Sequence, residues 1–291
     1  MKEEVLTIIV TYNRKELLKE CILANINQSF KNDILIVDNN STDGTREFIN
    51  SYINNKVKYV NTGENLGGAG GFNFGIKYAI KNFDYKYIWL MDDDTIPKED
   101  ALQNLYNVAT QELKDNFGFL ASKVLWKDNT FCNMNIPVIS KNWTEDIEKL
   151  EKGILRLNSS SFVSCFIKQE TIRKLGLPIK EFFIWADDVE YTTRIAKVYK
   201  SYFINSSCVI HKMSSNSSKY FLEDNDKQRI GRLFYTYRNR FYIRKKEGFV
   251  GIIKHIGMFI RDFNLALFKS KKYRFYRSWI ILKGFCCRNI F

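Results

Sequence analysis

The sequence predicts an α/β fold with a mainly parallel central sheet and helices on both of its faces. Short runs of apolar, β-branched residues alternate with helix-like segments four times in the first third of the chain. Such runs are typical of strands buried on both sides, and parallel strands require helical crossovers between them. Each run also ends in polar residues. Because ligands of such sheets bind beyond the carboxyl ends of the strands, this polar edge predicts a ligand site.

The individual elements follow from hydrophobic periodicity and turn chemistry. We predict strands at 6–10, 34–37, 57–60 and 87–91. Helices are predicted at 14–26, from the turn at 40–45 to about 52, at 72–80 and at 98–112, with a glycine-rich loop at 63–71. Beyond residue 117 the alternation stops. We expect this half to belong to the same domain and to form the side that binds a second substrate, the acceptor. Its predicted strands are 117–126, 154–167 and 202–210, its helices are 171–175 and 185–199, and a mobile loop is expected at 212–226.

The charge of the chain divides it into two parts. Residues 227–291 hold 17 of the 45 lysines and arginines but only 2 of the 32 aspartates and glutamates. We therefore predict a main α/β domain at 1–226 and a basic helical tail at 227–291. The six cysteines form no Cys-x-x-Cys pair, so a zinc ribbon is not predicted, and their scatter fits a reducing compartment. Neither a signal peptide nor a spanning helix is expected.

Three adjacent carboxylates, Asp92, Asp93 and Asp94, follow the apolar run at 87–91. Like charges at the end of a buried strand repel one another unless a cation relieves them. In an extended stretch residues i and i+2 point to the same side, so Asp92 and Asp94 could share one ion. Oxygen ligands suit Mn²⁺ or Mg²⁺, which would bridge the phosphates of a donor. The alternative is a solvated acidic turn, but the strand in front favours the metal.

The glycine-rich segment at 63–71 allows two interpretations. Its backbone amides could approach a phosphate, or its glycines could pack a helix closely on the sheet. Asn73 stands where a dinucleotide fingerprint needs glycine, and Lys77 lies one place too late for a P-loop. The failed fingerprint disfavours a dehydrogenase.

Acids and aromatic residues meet at 182–191. Asp187, Asp188 and Glu190 could complement a helix dipole, but Trp185 and the aromatic residues before it suggest a sugar pocket. Transfer to a hydroxyl group needs a carboxylate base, which Asp188 would supply. His211 ends the last predicted strand. It is either structural or a further ligand of the metal.

The basic tail interleaves 15 aromatic residues with its cations. Between residues 249 and 267 apolar side chains share one helical face, opposite Lys254, His255, Arg261 and Asp262. The pattern predicts an interfacial helix on an anionic membrane, which would place the protein in the cytoplasm on the inner face of the cell membrane. The alternatives are a helical cap on the main α/β domain and an oligomer interface. Nucleic-acid binding is disfavoured.

Together these motifs resemble the family 2 glycosyltransferases, which have the GT-A fold, a Rossmann-like nucleotide-binding fold. The resemblance runs from Val5 to about Met213 and looks most like the galactofuranosyltransferase and rhamnosyltransferase branch. The motifs are Val-Thr-Tyr-Asn-Arg at 10–14, Val-Asp-Asn-Asn-Ser-Thr-Asp-Gly-Thr at 37–45, Glu-Asn-Leu-Gly-Gly-Ala-Gly-Gly-Phe-Asn at 64–73, Trp-Leu-Met-Asp-Asp-Asp at 89–94, Trp-Ala-Asp-Asp-Val-Glu at 185–190 and His211. The chain departs from the branch at Ala186, where relatives often carry another aromatic residue, so its acceptor pocket is expected to differ.

The resemblance implies roles for individual residues. Asp188 is the expected catalytic base, and Asp92, Asp94 and His211 are the expected ligands of Mn²⁺ or Mg²⁺. The residues expected to bind the nucleotide or donor are Thr11, Asn13, Arg14, Asp38, Asn65, Gly67 and Asp93. Of these, Asp38 would contact the nucleobase. The residues expected to contact the acceptor are Trp185, Asp187 and Glu190.

The implied activity is inverting transfer of a hexose from a nucleotide sugar to a glycan or lipid-linked acceptor in cell-surface polysaccharide synthesis. UDP-galactofuranose is the favoured donor and dTDP-rhamnose the alternative. A hypothesis of another class is a non-catalytic, membrane-peripheral scaffold that keeps a nucleotide fold.

Overall fold

A computed structural model describes residues 3–54, 56–216 and 220–287. Within these residues ten strands form one mixed sheet. The strands are β1 (Val5–Thr11), β2 (Asp33–Asp38), β3 (Val57–Asn61), β4 (Tyr87–Asp92), β5 (Thr95–Pro97), β6 (Phe119–Trp126), β7 (Val138–Ile139), β8 (Ile154–Ser159), β9 (Cys165–Lys168) and β10 (Ser201–His211). The first six helices are α1 (Lys15–Ile26), α2 (Thr45–Asn50), α3 (Gly67–Asn82), α4 (Ala101–Asn107), α5 (Gln169–Leu175) and α6 (Asp187–Ala196).

The sheet has the strand order β3-β2-β1-β4-β9-β6-β10-β8-β7, and β5 pairs with β10. The first four strands of this order are parallel, whereas β9 is antiparallel to both β4 and β6. The register places Thr11 beside Asp38 and Val10 beside Asp92. The ends of β1, β2 and β4 therefore lie at one edge of the sheet, as the sequence predicts.

Both faces of the parallel strands are buried. Val5 and Ile9 pack in one apolar cluster, whereas Leu6 and Ile8, whose side chains point the other way, pack in a second. This two-sided burial explains why apolar residues of β1 point to both faces of the sheet instead of alternating with polar ones.

Three predicted elements differ in the structure. The single strand at 154–167 is wrong: β8 and β9 are separated by Ser160, Ser161 and a 3₁₀ turn at Phe162–Ser164, and they pair with different strands. The predicted loop at 63–71 is helical from Gly67 onward. In the predicted loop at 212–226, a short helix α7 (Tyr220–Glu223) is present, and residues 217–219 lie outside the described residues.

The chain divides into two compact units. The first comprises Met1–Lys180 and Asp188–Asn216, and the second comprises Glu181–Asp187 and Ser217–Phe291. The second unit thus starts ten residues before the predicted tail and also includes the aromatic segment that precedes Asp188. Its remaining helices are α8 (Lys227–Gly231), α9 (Leu233–Lys245), α10 (Phe249–Lys269) and α11 (Arg274–Cys286). No helix among the described residues is long and apolar enough to cross a bilayer.

The long helix α10 is oriented by its polar residues. His255 and Asp262, which the sequence places on the solvent side, are both buried. The Asp262 carboxylate accepts a hydrogen bond of 2.9 Å from the Tyr237 hydroxyl, and the His255 ring stacks on Phe285 at 5.3 Å. Since this side faces the other helices of the unit, the apolar residues Ile253 and Ile260 remain exposed.

Candidate active site

The three aspartates lie at the end of β4, where the chain turns into β5. Asp92 is the last residue of β4, and Asp93 and Asp94 form the turn before Thr95. Because β5 pairs antiparallel with β10, His211 comes opposite Thr95. One side-chain ligand atom from each of Asp92, Asp94 and His211 lies within 4.8 Å of the other two. The structure therefore brings together the three residues that the sequence proposes as metal ligands.

The charges of this cluster are strongly coupled. Burial, and then the charge of Asp94, raises the pKa of Asp92 to about 6. Burial also opposes ionisation of Asp94, but the hydrogen bond with His211 and the charge of Arg14 hold its pKa below the usual value. Burial alone would lower the pKa of His211, but the 2.9 Å contact with Asp94 outweighs it and raises the pKa to about 10. Because a histidine that binds a metal must be a neutral imidazole, a cation bound here would replace the proton that His211 holds beside the two carboxylates.

Arg14 and Thr11 hold the acidic turn. The Arg14 guanidinium lies 2.6 Å from a carboxylate oxygen of Asp94 and 3.3 Å from one of Asp93, and the Thr11 hydroxyl donates to Asp93 at 2.8 Å. The pKa of Asp93 is raised to about 7, first by burial, with Arg14 acting in the opposite direction. Asp93 is thus held by Thr11 and Arg14, and it is not one of the three candidate metal ligands. The predicted contacts of Thr11, Arg14 and Asp93 with a donor stay predictions.

The donor set fits a divalent cation. Two carboxylates and one imidazole suit Mn²⁺ and, less selectively, Mg²⁺. The other ring nitrogen of His211, Nδ1, lies 2.8 Å from Oδ1 of Asn135, a contact that fixes the ring orientation. Asn135 also donates to Ser161 at 3.0 Å. Sequence reasoning missed Asn135 because it lies in a 3₁₀ turn, Asn133–Asn135, without a periodic pattern or motif.

The ends of β1 and β2 are joined by polar contacts. Asp38 is fully buried, and its two oxygens accept hydrogen bonds from the Tyr59 hydroxyl at 2.8 Å and the Ser41 amide at 2.9 Å. Asn13, in a left-handed conformation, accepts from the Thr42 amide at 2.7 Å. These contacts order the edge loops. The nucleobase contact of Asp38 and the nucleotide contact of Asn13 stay predictions.

The glycine-rich segment shows the close helix packing that is one of its two predicted uses. A Cβ atom at Gly71 would come within 2.5 Å of Val10, and one at Gly75 within 2.7 Å of Val37, so these glycines let α3 pack closely on the sheet. A Cβ at Gly68 would meet nothing within 4 Å. Asn65 accepts from the Gly67 amide at 2.9 Å and thereby shapes the start of α3. The space at Gly68 leaves room beside the first turn of α3, and the donor contacts of Asn65 and Gly67 remain predictions.

Asp188 and Glu190 begin α6 in the first unit but have different surroundings. Burial, then the nearby charge of Asp92, raises the pKa of Asp188 to about 6, against the hydrogen bond from the Val189 amide. Glu190 is buried and forms an ion pair of 3.0 Å with Arg194. Arg194 in turn donates to the carbonyl oxygens of Leu175 and Leu177, so Glu190 belongs to a structural network. Its predicted contact with the acceptor stays a prediction.

Trp185 and Asp187 belong to the second unit. Trp185 is partly buried against the small apolar core formed by Ile230, Leu233 and Tyr237, and Asp187 is buried. Trp185 and Ala186 have left-handed backbone conformations, with φ of 67° and 71°. Helix α6 therefore begins at Asp187 and not at 185 as predicted. The acceptor contacts proposed for Trp185 and Asp187 stay predictions.

Comparison with known proteins gives a family match. The model described as Glycosyl transferase family 2 matches residues 7–166, more than half of the chain. The chain is 26% identical over 275 residues to Galactofuranosyltransferase GlfT1 of Mycolicibacterium smegmatis. This match covers 84% of each protein.

Two solved structures share the fold. The crystal structure of GalNAc-T7 with UDP, GalNAc and Mn²⁺ superposes with a TM-score of 0.61 at 15% identity, covering 80% of this chain and 51% of that one. The mannosyltransferase PcManGT of Pyrobaculum calidifontis, in complex with GDP-Man and Mn²⁺, gives a TM-score of 0.57 at 15% identity and covers 98% of this chain and 86% of that one. The sheet described above is accordingly a GT-A fold.

Proposed function

The chain belongs to glycosyl transferase family 2, and from this premise we propose that it is an inverting, metal-dependent hexosyltransferase. Its donor would be a nucleotide sugar and its acceptor a glycan or lipid-linked sugar of a cell-surface polysaccharide. The observation that carries the proposal is the cluster of Asp92, Asp94 and His211 at the strand ends, with Asp188 close enough for Asp92 to raise its pKa.

The proposed reaction is a single displacement. The Asp188 carboxylate accepts the proton of an acceptor hydroxyl while that oxygen attacks the anomeric carbon of the donor. The bond to the diphosphate breaks on the opposite face, and its electron pair leaves with the nucleoside diphosphate, so the configuration inverts. Asp92, Asp94 and His211 would hold Mn²⁺ or Mg²⁺, whose charge stabilises the leaving diphosphate when it is bound.

The donor is proposed from similarity alone. The relative in Mycolicibacterium smegmatis is called a galactofuranosyltransferase, which supports UDP-galactofuranose as the first donor to test. dTDP-rhamnose is the second, from the motif resemblance. We expect transfer in a panel of UDP- and dTDP-sugars with Mn²⁺ and a lipid-linked acceptor, followed by mass spectrometry of the product. No transfer and no metal-dependent nucleotide binding across the panel would contradict the function.

We further propose that α10 rests on an anionic membrane surface, on the cytoplasmic side. Val250, Ile253, Ile256 and Ile260 are exposed along one side of the helix, although its polar His255 and Asp262 are buried on the other. Exposed basic residues accompany this stripe, among them Lys254, Arg261 and Lys269. An apolar stripe between cations complements a layer of anionic lipids, where each basic residue contributes about 1 kcal/mol.

Replacing Ile253 and Ile260 together by glutamine is expected to reduce binding to vesicles. Each side chain is 52% exposed, so the change leaves the core intact while removing apolar area that would enter the bilayer. The measurement is cosedimentation with phosphatidylglycerol–phosphatidylcholine vesicles, compared with pure phosphatidylcholine. Val198→Gln, an exposed apolar residue of the first unit, is the matched control. Equal binding of the double variant and the natural chain would argue against the proposal, and a dimer that the double variant dissociates would identify the stripe as an interface between copies.

A further inference from the structure

The segment that precedes Asp188 has a strained backbone. Phe183, Trp185 and Ala186 all have positive φ, at 62°, 67° and 71°. Residues with a Cβ rarely adopt this conformation, and it persists only where the surroundings fix it. Strain of this kind is concentrated at functional sites, so the groups that hold the segment are of interest.

Side chains on one face of α9 hold this segment by hydrogen bonds to the backbone of the segment. The Asn239 side chain is completely buried, and its Nδ2 lies 2.9 Å from the carbonyl oxygen of Phe182, 3.0 Å from that of Ile184 and 2.9 Å from that of Trp185. Carbonyl groups from three residues of this short segment thus converge on one amide group. A single side chain thus links the three carbonyl groups, and that of Phe182 also accepts a hydrogen bond from the Ile184 amide at 2.7 Å.

Arg238 supports Asn239 and extends the contact. Its Nε donates to Asn239 Oδ1 at 3.0 Å, which orients the amide so that its NH₂ group faces the carbonyls. Its Nη2 donates to the carbonyl oxygens of Glu181 and Phe182. The guanidinium therefore fixes both the start of the segment and the residue that holds its centre.

Aromatic contacts from the same helix face hold the side chains. Phe183 stacks on Tyr235 with ring centroids 4.9 Å apart, and Phe182 meets the ring of Tyr242 edge-on at 5.6 Å. Tyr235, Arg238, Asn239 and Tyr242 have the spacing i, i+3, i+4 and i+7, which places them on one side of a helix. These four residues on one face of α9 therefore all contact residues within 181–185.

We propose that Asn239, supported by Arg238, is a positioning residue for sugar transfer. It fixes the backbone of residues 182–185, and this backbone continues without interruption into α6, whose first two residues are Asp187 and Asp188. Asn239 thus orders the backbone up to Trp185, three residues before the proposed base. This inference rests on the proposed function. It gives the basic tail a part in catalysis that is separate from any contact with a membrane.

Asn239→Asp is the sharpest test, because the side chain keeps its size but presents an oxygen to three carbonyl oxygens. We expect at least a tenfold loss of kcat with a soluble acceptor, whereas the Kd for UDP and Mn²⁺ stays within twofold. Hydrogen exchange should accelerate in a peptide covering 181–190 and not in peptides of β1 or β4. Asn264→Asp is the matched control, since Asn264 is exposed on α10 and binds only its own helix through the Ile260 carbonyl in the contacts described.

A second pair of variants keeps the test valid if Asn239→Asp does not fold. Arg238→Lys retains the charge but loses the guanidinium fork, and several-fold slower transfer is expected. Arg240→Lys, at an exposed position two residues away, should transfer at the normal rate. Normal kcat and exchange in both Asn239→Asp and Arg238→Lys would overturn the positioning role while leaving the function standing. Absence of transfer by the natural chain with every donor would instead remove the proposed function, and the positioning role with it.

Discussion

Asp188→Asn is expected to reduce sugar transfer by about 10²–10⁴-fold, the usual contribution of a well-placed general base, while nucleotide binding is retained. Asparagine has nearly the shape of aspartate but cannot accept the proton of an acceptor hydroxyl. The Val189 amide, which donates to Asp188 at 2.7 Å, can donate equally to an asparagine oxygen, so the start of α6 should be preserved. The measurement is initial transfer rate, with nucleotide affinity measured in parallel.

The pH dependence of the natural chain tests the same assignment. Burial and the charge of Asp92 raise the pKa of Asp188 to about 6, and only the deprotonated carboxylate acts as a base. The transfer rate is therefore expected to rise as the pH increases through about 6 and then to level off. A rate that stays constant from pH 5 to pH 8, or an Asp188→Asn variant with normal transfer, would show that another group is the base. Asp84→Asn, at an exposed position, serves as the control for loss of a carboxylate.

The parallel half of the fold could be predicted from the sequence because its signals are local. The runs that form β1, β2 and β4 are largely apolar since both faces of the sheet are covered there. These strands and β3 all end within one residue or so of the predicted position. The convergence of Thr11, Asp38 and Asp92 follows from the parallel arrangement alone. The proximity of Asp92 and Asp94 likewise needs only their spacing.

The other half depends on long-range pairing that no local pattern encodes. β9 inserts between β4 and β6, and apolar residues on both sides of Ser160 make β8 and β9 look like one strand. Asn135 reaches His211 across 76 positions, and Asn239 reaches Trp185 across 54. Neither asparagine stands in a pattern that predicts its partner. In α10 the amphipathic pattern predicts the apolar stripe correctly but not its orientation, because buried His255 and Asp262 find aromatic and hydroxyl partners.

Asp94→Asn is expected to abolish metal-dependent nucleotide binding and, with it, transfer. Asp94 is the carboxylate that contacts His211 at 2.9 Å, and the variant loses the charged oxygen that Asp94 would offer to the ion. Loss of a direct ligand should exceed the roughly 10–100-fold loss of affinity that follows removal of a side chain that only orients a ligand. Folding should survive, since asparagine keeps the size of aspartate and its oxygen can still accept a hydrogen bond from Arg14. The measurement is Mn²⁺ affinity in the presence of UDP, together with the transfer rate.

Two further variants separate a metal site from a merely acidic turn. Asn135→Ala removes the contact that orients His211, and if His211 is a ligand the Mn²⁺ affinity should fall by about 10–100-fold without loss of any direct ligand. Asp93→Asn changes the neighbouring carboxylate, which Thr11 and Arg14 hold, and should leave Mn²⁺ affinity nearly unchanged. An acidic turn would respond to charge alone. In that case Asp93→Asn and Asp94→Asn would lower the Mn²⁺ affinity equally, and Asn135→Ala would leave it unchanged. The expected order, with Asp94 strongest, Asn135 intermediate and Asp93 weakest, arises only if the ion lies between Asp92, Asp94 and an oriented His211.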